Sequence, residues 1–326
     1  MRIFLRDILV FVFMLCATFA ALVAGGIRNY DSYIRGHFDK LRAADAVEGT
    51  RILIVGDSSA AFGLSAGTIE SIVGVPCVNL ALHGGLEVAF PLAEAERAAR
   101  PGDVVVLAFN WKFLSRQDTG WNGALGASIL FEDPRCARSI CARDWMRLAD
   151  DGHLALGQAM QWGIESWKLR MRGRTMEPSV PYSREWMDAR GDLFGHCDFD
   201  TRAARQRRQG ADARASLVDG DGIAQRCQEL DYFCKRLEAR GVRVFRASGT
   251  TLESDWDLWR QPIESMRRDL LQLPGVSELD LPEEAVESDD AVFDHDLHMN
   301  CEARERRSGR VGERLREALS PAPVGS

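Results

Sequence analysis

Two short segments at opposite ends of the chain hold the residue types that together make an active serine. Ser58 lies in Gly56-Asp57-Ser58-Ser59, and far downstream comes Phe293-Asp294-His295-Asp296-Leu297-His298-Met299-Asn300. A serine hydroxyl is a poor nucleophile at neutral pH and needs an adjacent base, which itself needs an orienting partner. Ser58 is the candidate nucleophile, His298 the base and Asp294 the carboxylate that fixes its tautomer. Asp296 is the alternative acid, and His295 is the alternative base in a shifted register. Residues an odd number apart on an extended segment point opposite ways, so His295 and His298 do not both face Ser58. The competing role for Ser58 is a helix N-cap without chemistry.

These residues need a scaffold, and the flanking pattern supplies one. Arg51-Ile52-Leu53-Ile54-Val55 is apolar and β-branched, as a buried parallel strand should be, and Gly56 lets the chain turn sharply as it leaves the sheet. A helix is expected around 66–73, a short strand at 75–80, a helix at 87–100 ended by Pro101-Gly102, and a buried strand at 103–109. After Gly222 the rhythm resumes with a helix at 223–240, a strand at 242–245, a helix at 256–273 and an extended segment leading to Leu279-Asp280-Leu281. A charged helix at 302–319 closes the pattern. Strands alternating with helices predict a parallel sheet with right-handed crossovers, whose sites lie at the carboxyl edge.

The strand running into Gly56-Asp57-Ser58, together with the late Asp…His-Met-Asn segment, resembles the SGNH (GDSL-like) hydrolase superfamily, in particular its membrane-anchored bacterial envelope esterases and O-acyltransferases. That resemblance covers residues 50–110 and 222–319. It implies an α/β fold, a three-layer α/β/α parallel sheet (flavodoxin-like) with a mostly helical insertion. It also implies oxyanion donors from the Ser58 N–H, the Gly84 N–H after the second strand and the Asn110 side chain after the third. The family's usual Gly-x-Asn-Asp reads Ala108-Phe109-Asn110-Trp111 here, and its Asp-x-x-His is lengthened so that Asp294 stands four residues before His298. By the same resemblance the substrate is an ester on an envelope or secreted polysaccharide. The partners it implies are the acylated glycan or acyl donor and a membrane-bound O-acyltransferase.

The N-terminus carries a second signal. Ile8 to Gly26 contains no charged residue, and 19 residues at helical rise cover roughly 28 Å, near the hydrocarbon thickness of a bilayer. Arg2 and Arg6 precede it, which favours an N-terminus inside and the remainder outside. The expected organisation is a cytoplasmic segment 1–7, an inner-membrane anchor 8–26, a polar stalk 27–48, a catalytic domain 49–320 on the periplasmic side with an insertion at 111–220, and a tail 321–326. A cleaved signal peptide is the competing reading, but the apolar run exceeds a usual signal core.

Charge excludes one class of partner. A net charge of −7 offers nucleic acid no basic face, and the cluster Arg202, Arg205, Arg207 and Arg208 reads as solvated. Among the eight cysteines, Cys136 and Cys141 bracket a short loop and are the expected disulfide. No Cys-x-x-Cys occurs, which argues against structural zinc. Asp294, His295, Asp296 and His298, with His196-Cys197-Asp198, include metal-ligand types. They lack an ordered spacing such as His-Glu-x-x-His, so neither metal nor cofactor is expected. Six of the eight tryptophans fall within 111–220. They are expected to fill a small helical core, with a carbohydrate groove as the alternative.

Overall fold

The computed structural model describes residues 2–29, 32–115, 122–175, 181–197, 220–272, 275–294 and 298–320. The Arg202–Arg208 cluster, Trp121, His295, Asp296, Asp198 and the tail 321–326 lie outside these residues.

The chain is a mixed α/β protein on a five-stranded parallel sheet. Its strands are β1 (Ile52–Gly56), β2 (Cys77–Asn79), β3 (Val104–Ala108), β4 (Arg243–Arg246) and, after the two-residue β5 (Thr251–Leu252), β6 (Val276–Glu278). The sheet order is β2-β1-β3-β4-β6. β5 pairs separately with β7 (Val286–Glu287), a small parallel ladder that the hydrophobic pattern does not announce. Because the chain winds outward from β1 in one direction and from β3 in the other, a crevice opens between the carboxyl ends of these two strands. Gly56 pairs with Ala108 across it.

Period-two alternation sends the strand side chains to two separate apolar clusters. Ile52, Ile54, Val104 and Val106 join one cluster with Phe62, Ile69, Val311 and Leu315. Leu53, Val55, Val105 and Leu107 join the other with Leu92, Phe233, Leu237 and Ile263. The helices supplying these residues include α3 (Ser58–Gly63), α4 (Ala66–Val73), α5 (Ala89–Ala98), α9 (Gly220–Glu238), α10 (Glu253–Leu270) and α11 (Cys301–Leu319). α4 is bounded by local chemistry: Ser65 accepts the Thr68 N–H as N-cap, and Gly74 ends it at φ 74°.

At the N-terminus, α1 (Arg2–Asn29) contains a stretch, Phe4–Gly26, long and apolar enough to cross a membrane, with Phe4 to Leu15 exposed. The segment read as a polar stalk is packed into the domain instead. It forms a 3-10 turn at Tyr33–Gly36 and α2 (His37–Ala46), and it buries Tyr33, Ile34, Leu41 and Ala44. Sequence pattern misjudged it because three of its basic residues, Arg35, His37 and Lys40, are also buried, each with a partner. His37 Nε2 meets the Glu94 carboxylate at 2.7 Å, and Lys40 Nζ donates to the Ala81 carbonyl at 2.9 Å.

Between β3 and α9 the described residues are mainly helical, with α6 (Trp111–Ser115), α7 (Gly123–Glu132) and the long α8 (Ala142–Met171). The tryptophans there do not form one core. Trp111 is fully buried against the main sheet, whereas Trp145 and Trp167 are exposed.

Candidate active site

β1 delivers Ser58 to the carboxyl edge through a turn that starts α3 at once. Asp57, rather than Ser58, is the N-cap: its Oδ1 accepts the Ser59 N–H at 3.0 Å and the Ser59 hydroxyl at 2.5 Å. This frees Ser58 from the capping role. Ser58 is the first helical residue, half-buried, and its N–H is among those an N-terminal turn cannot satisfy internally. Gly56 is needed here because a Cβ at that position would run into the Ala108 carbonyl of β3.

Asn110 sits at the end of β3, on the other lip of the crevice. Its backbone N–H donates to Asp57 Oδ2 at 3.3 Å. Its side-chain Oδ1 accepts the Lys112 N–H at 2.8 Å at the start of α6, and its Nδ2 donates to the Thr250 carbonyl at 3.1 Å. The amide therefore does capping work, and one of its two N–H donors is committed.

His298 arrives on a closed loop. Phe293 N–H donates to the His298 carbonyl at 2.9 Å, and Asn300 N–H donates to the Ala291 carbonyl at 2.7 Å. Asn300 then caps α11 by accepting the Ala303 N–H at 2.9 Å, which accounts for the Asn of His-Met-Asn. Across this loop Asp294 Oδ2 lies 2.6 Å from His298 Nδ1. The His298 ring is buried against Phe62, with ring centroids 4.7 Å apart. Phe62 lies four residues after Ser58, so both occupy one face of α3, about 6 Å apart along its axis. His298 Nε2 is buried and has no hydrogen-bond partner among the described residues. No hydrogen bond joins it to Ser58 Oγ, so the nucleophile–base contact is open; catalytic contacts commonly tighten only when substrate binds.

Three further residues at the site come from 181–197: Tyr182, which sequence reasoning missed, and His196 and Cys197, which it named only as metal-ligand types. Tyr182 donates its hydroxyl to Asp294 Oδ2 at 2.5 Å. His196 stacks on Phe293 with centroids 5.0 Å apart, and burial depresses its pKa to about 3. Cys197 forms a disulfide with Cys301, the residue after Asn300. The expected Cys136–Cys141 bridge is not made. The Cys136 thiol lies 3.6 Å from Glu94, while the Cys141 thiol bonds to Asp144 at 2.9 Å, so the two point to different partners. An unmatched cysteine beside a histidine was the only local signal for the true pairing.

Gly84 opens a 3-10 turn, Gly84–Leu86, beside the nucleophile turn. A Cβ there would lie 3.8 Å from the Asp57 Cβ and 3.5 Å from the Phe113 ring, so alanine fits and only larger residues collide. Glu87, just beyond, is held at φ 54° by a buried ion pair with Arg226. Such backbone strain persists only where the surroundings over-determine it.

Burial raises the pKa of Asp57, against the lowering effect of its bonds from Ser59 and Asn110. Among the described metal-ligand types near the site, Asp294 and His298 hold each other, and Cys197 and Cys301 are bridged to one another. Compared with known proteins, the sequence matches no family model and no curated protein.

Proposed function

We propose that the chain is a membrane-tethered serine esterase or O-acyltransferase of SGNH type, facing the periplasm and acting on acyl esters of an envelope or secreted glycan. One observation carries this reading: a buried His298–Asp294 pair, 2.6 Å apart, whose free Nε2 packs on the helix that Ser58 begins. The sheet order supports it, since Ser58 and Asn110 flank the crevice at which doubly wound sheets bind ligands. The two apolar clusters on opposite strand faces support the three-layer arrangement. The exposed apolar α1, preceded by Arg2 and Arg6, supports the anchor and its orientation.

In this mechanism Ser58 Oγ attacks the ester carbonyl while His298 Nε2 takes its proton. Asp294 holds the imidazole through Nδ1 and stabilises the imidazolium. The oxyanion is met by the Ser58 and Gly84 N–H groups and the second Nδ2 hydrogen of Asn110. His298 returns the proton to the leaving alcohol, giving an acyl-Ser58. Water, or a sugar hydroxyl deprotonated by His298, then attacks the acyl group and releases Ser58. Hydrolysis and transfer share the first half, so a membrane-bound O-acyltransferase is a fitting source of acyl groups for the second.

The open Ser58–His298 contact favours one alternative, an inert scaffold that binds glycan on the same fold. Kinetics with a small acetyl ester separates the two. Ser58→Ala and His298→Ala should each remove nearly all turnover while leaving the fold intact, because nucleophile and base act as a unit. Equal turnover in wild type and both variants would support the scaffold.

A further inference from the structure

Gly84 lies midway along a short segment that is gripped at both ends by buried charges. Its N–H has no acceptor among the described residues, whereas the next N–H, that of Gly85, donates to His83 Nδ1 at 2.9 Å. On the way into the turn the chain follows β1: Leu80 N–H donates to the Ile54 carbonyl at 2.8 Å and Leu82 N–H to the Gly56 carbonyl at 3.0 Å. Ala81, between them, lies on the outer side of the edge strand, where its backbone groups have no strand to pair with. Side chains meet them instead. Asn79 Oδ1 accepts the Ala81 N–H at 3.0 Å, and Lys40 Nζ donates to the Ala81 carbonyl at 2.9 Å. Lys40 comes from α2 and is fully buried, and Asp192 and Asp188 attract its charge from further away.

Beyond the turn, Glu87 ends the segment at φ 54° and ψ 160°, a backbone conformation that only glycine adopts readily. Its carboxylate is paired with Arg226 of α9, and both side chains are buried. Arg226 also holds Glu229 at 2.9 Å. Stability alone does not select either arrangement. Burying a lysine or an ion pair is opposed by desolvation, and apolar side chains of similar volume often serve a fold as well. What the two have in common is the segment they hold: Gly84 stands three residues after Ala81 and three before Glu87. An oxyanion donor is effective only when it is held about 2.7–3.1 Å from the position the oxygen will take. A donor on a loosely held turn loses most of that effect.

We propose that Lys40 and the Glu87–Arg226 pair are positioning residues that clamp the segment 81–87 from its two ends and hold the Gly84 N–H towards the oxyanion. Neither touches substrate. The inference rests on the serine esterase or acyltransferase reading above. It adds that α2, whose sequence reads as part of a stalk, helps to set the rate.

Steady-state kinetics on a small acetyl ester tests this in the full chain, with folding checked by circular dichroism. Lys40→Met and Arg226→Met should each lower kcat by about tenfold or more while KM stays within about twofold, since the donor acts on the transition state. The pH at which kcat/KM falls as His298 takes up a proton should not move, because the triad is untouched. Lys40 and Arg226 sit on different helices with no hydrogen bond between them, and unrelated structural damage at two such sites combines multiplicatively. One donor can be lost only once, so the double variant should be about as slow as the slower single. If either variant does not fold, Glu87→Gln, which keeps the side-chain shape, carries the same expectation. A folded variant with wild-type kcat, a rise in KM in place of the fall in kcat, or a double variant slowed by the product of its singles would overturn the clamp while leaving Ser58-dependent turnover standing. Turnover absent from the wild type, or equal in Ser58→Ala, would overturn the esterase reading and the clamp with it.

Discussion

Asp57 and Asn110 tie the two lips of the crevice together: the Asp57 carboxylate accepts the Asn110 backbone N–H at 3.3 Å while its other oxygen caps α3. One side chain thus sets the nucleophile turn after β1 and the strand end after β3. Asp57→Ala would remove the cap and strand two buried N–H groups. Loss of the cap alone costs about 1 kcal/mol, and the unsatisfied donors add roughly 1–3 kcal/mol. A lowered urea midpoint, with ester turnover falling further than Ser59→Ala makes it fall, is the expected outcome.

The orienting acid makes a second prediction. Asp294→Asn should lower kcat/KM by orders of magnitude, since the amide favours the wrong imidazole tautomer. Asp296→Asn should be mild. Tyr182→Phe deletes one donor to Asp294 Oδ2 and should lower kcat/KM about tenfold, the equivalent of roughly 1.4 kcal/mol, with little change in thermal stability. A damaging Asp296→Asn beside a silent Asp294→Asn would move the register of the acid.

Much of this was legible from residue pattern. β1 and β3 are apolar β-branched runs, α4 has its own cap and glycine stop, and Phe293-Asp294 with His298-Met299-Asn300 marks a loop entering a helix. Each is local in sequence. What was not legible depends on residues far apart: the Tyr182 bond to Asp294, and the Cys197–Cys301 bridge across a separation of 104 residues. The buried Lys40 and His37 of the supposed stalk belong to the same class. Charges read as solvent-facing until their partners, the Ala81 carbonyl and Glu94, are brought to them by the fold.

The disulfide joins the 181–197 segment to the start of α11, right behind the His298 loop. Closing a loop of this length stabilises by about 2–4 kcal/mol. Reductant should therefore lower the melting temperature of the wild type and leave a Cys197→Ser/Cys301→Ser variant unchanged. Turnover of the double variant should fall even below its melting temperature, because the loop carrying His298 loses its tether. An equal melting temperature with and without reductant would exclude the bridge.

Acid should destabilise the fold in two windows. Burial holds His196 neutral down to about pH 3, while in the unfolded chain it takes up a proton below its ordinary 6.5. Stability therefore falls as pH drops from 6.5 towards 3, by about 2 kcal/mol at pH 5 from this residue. Burial pushes the Glu94 pKa up, but bonds from His37, Arg97 and Ser139 outweigh it and bring it to about 2. Its contribution is complete above 4.5 and is lost as pH falls from there to 2. His196→Phe should flatten the decline between pH 6.5 and 4.5 in urea titrations, leaving the steeper part below 4.5. A decline identical to wild type would contradict the assignment.

Labelling the full chain with a serine-directed fluorophosphonate tests the central claim most directly, because the probe reacts with an activated hydroxyl whatever the natural acyl acceptor is. Peptide mapping should place the adduct on Ser58, with no labelling of folded Ser58→Ala and only trace labelling of His298→Ala. A folded wild type that stays unlabelled, or an adduct on Ser59 or another serine, would contradict the assignment of Ser58 as a nucleophile activated by His298.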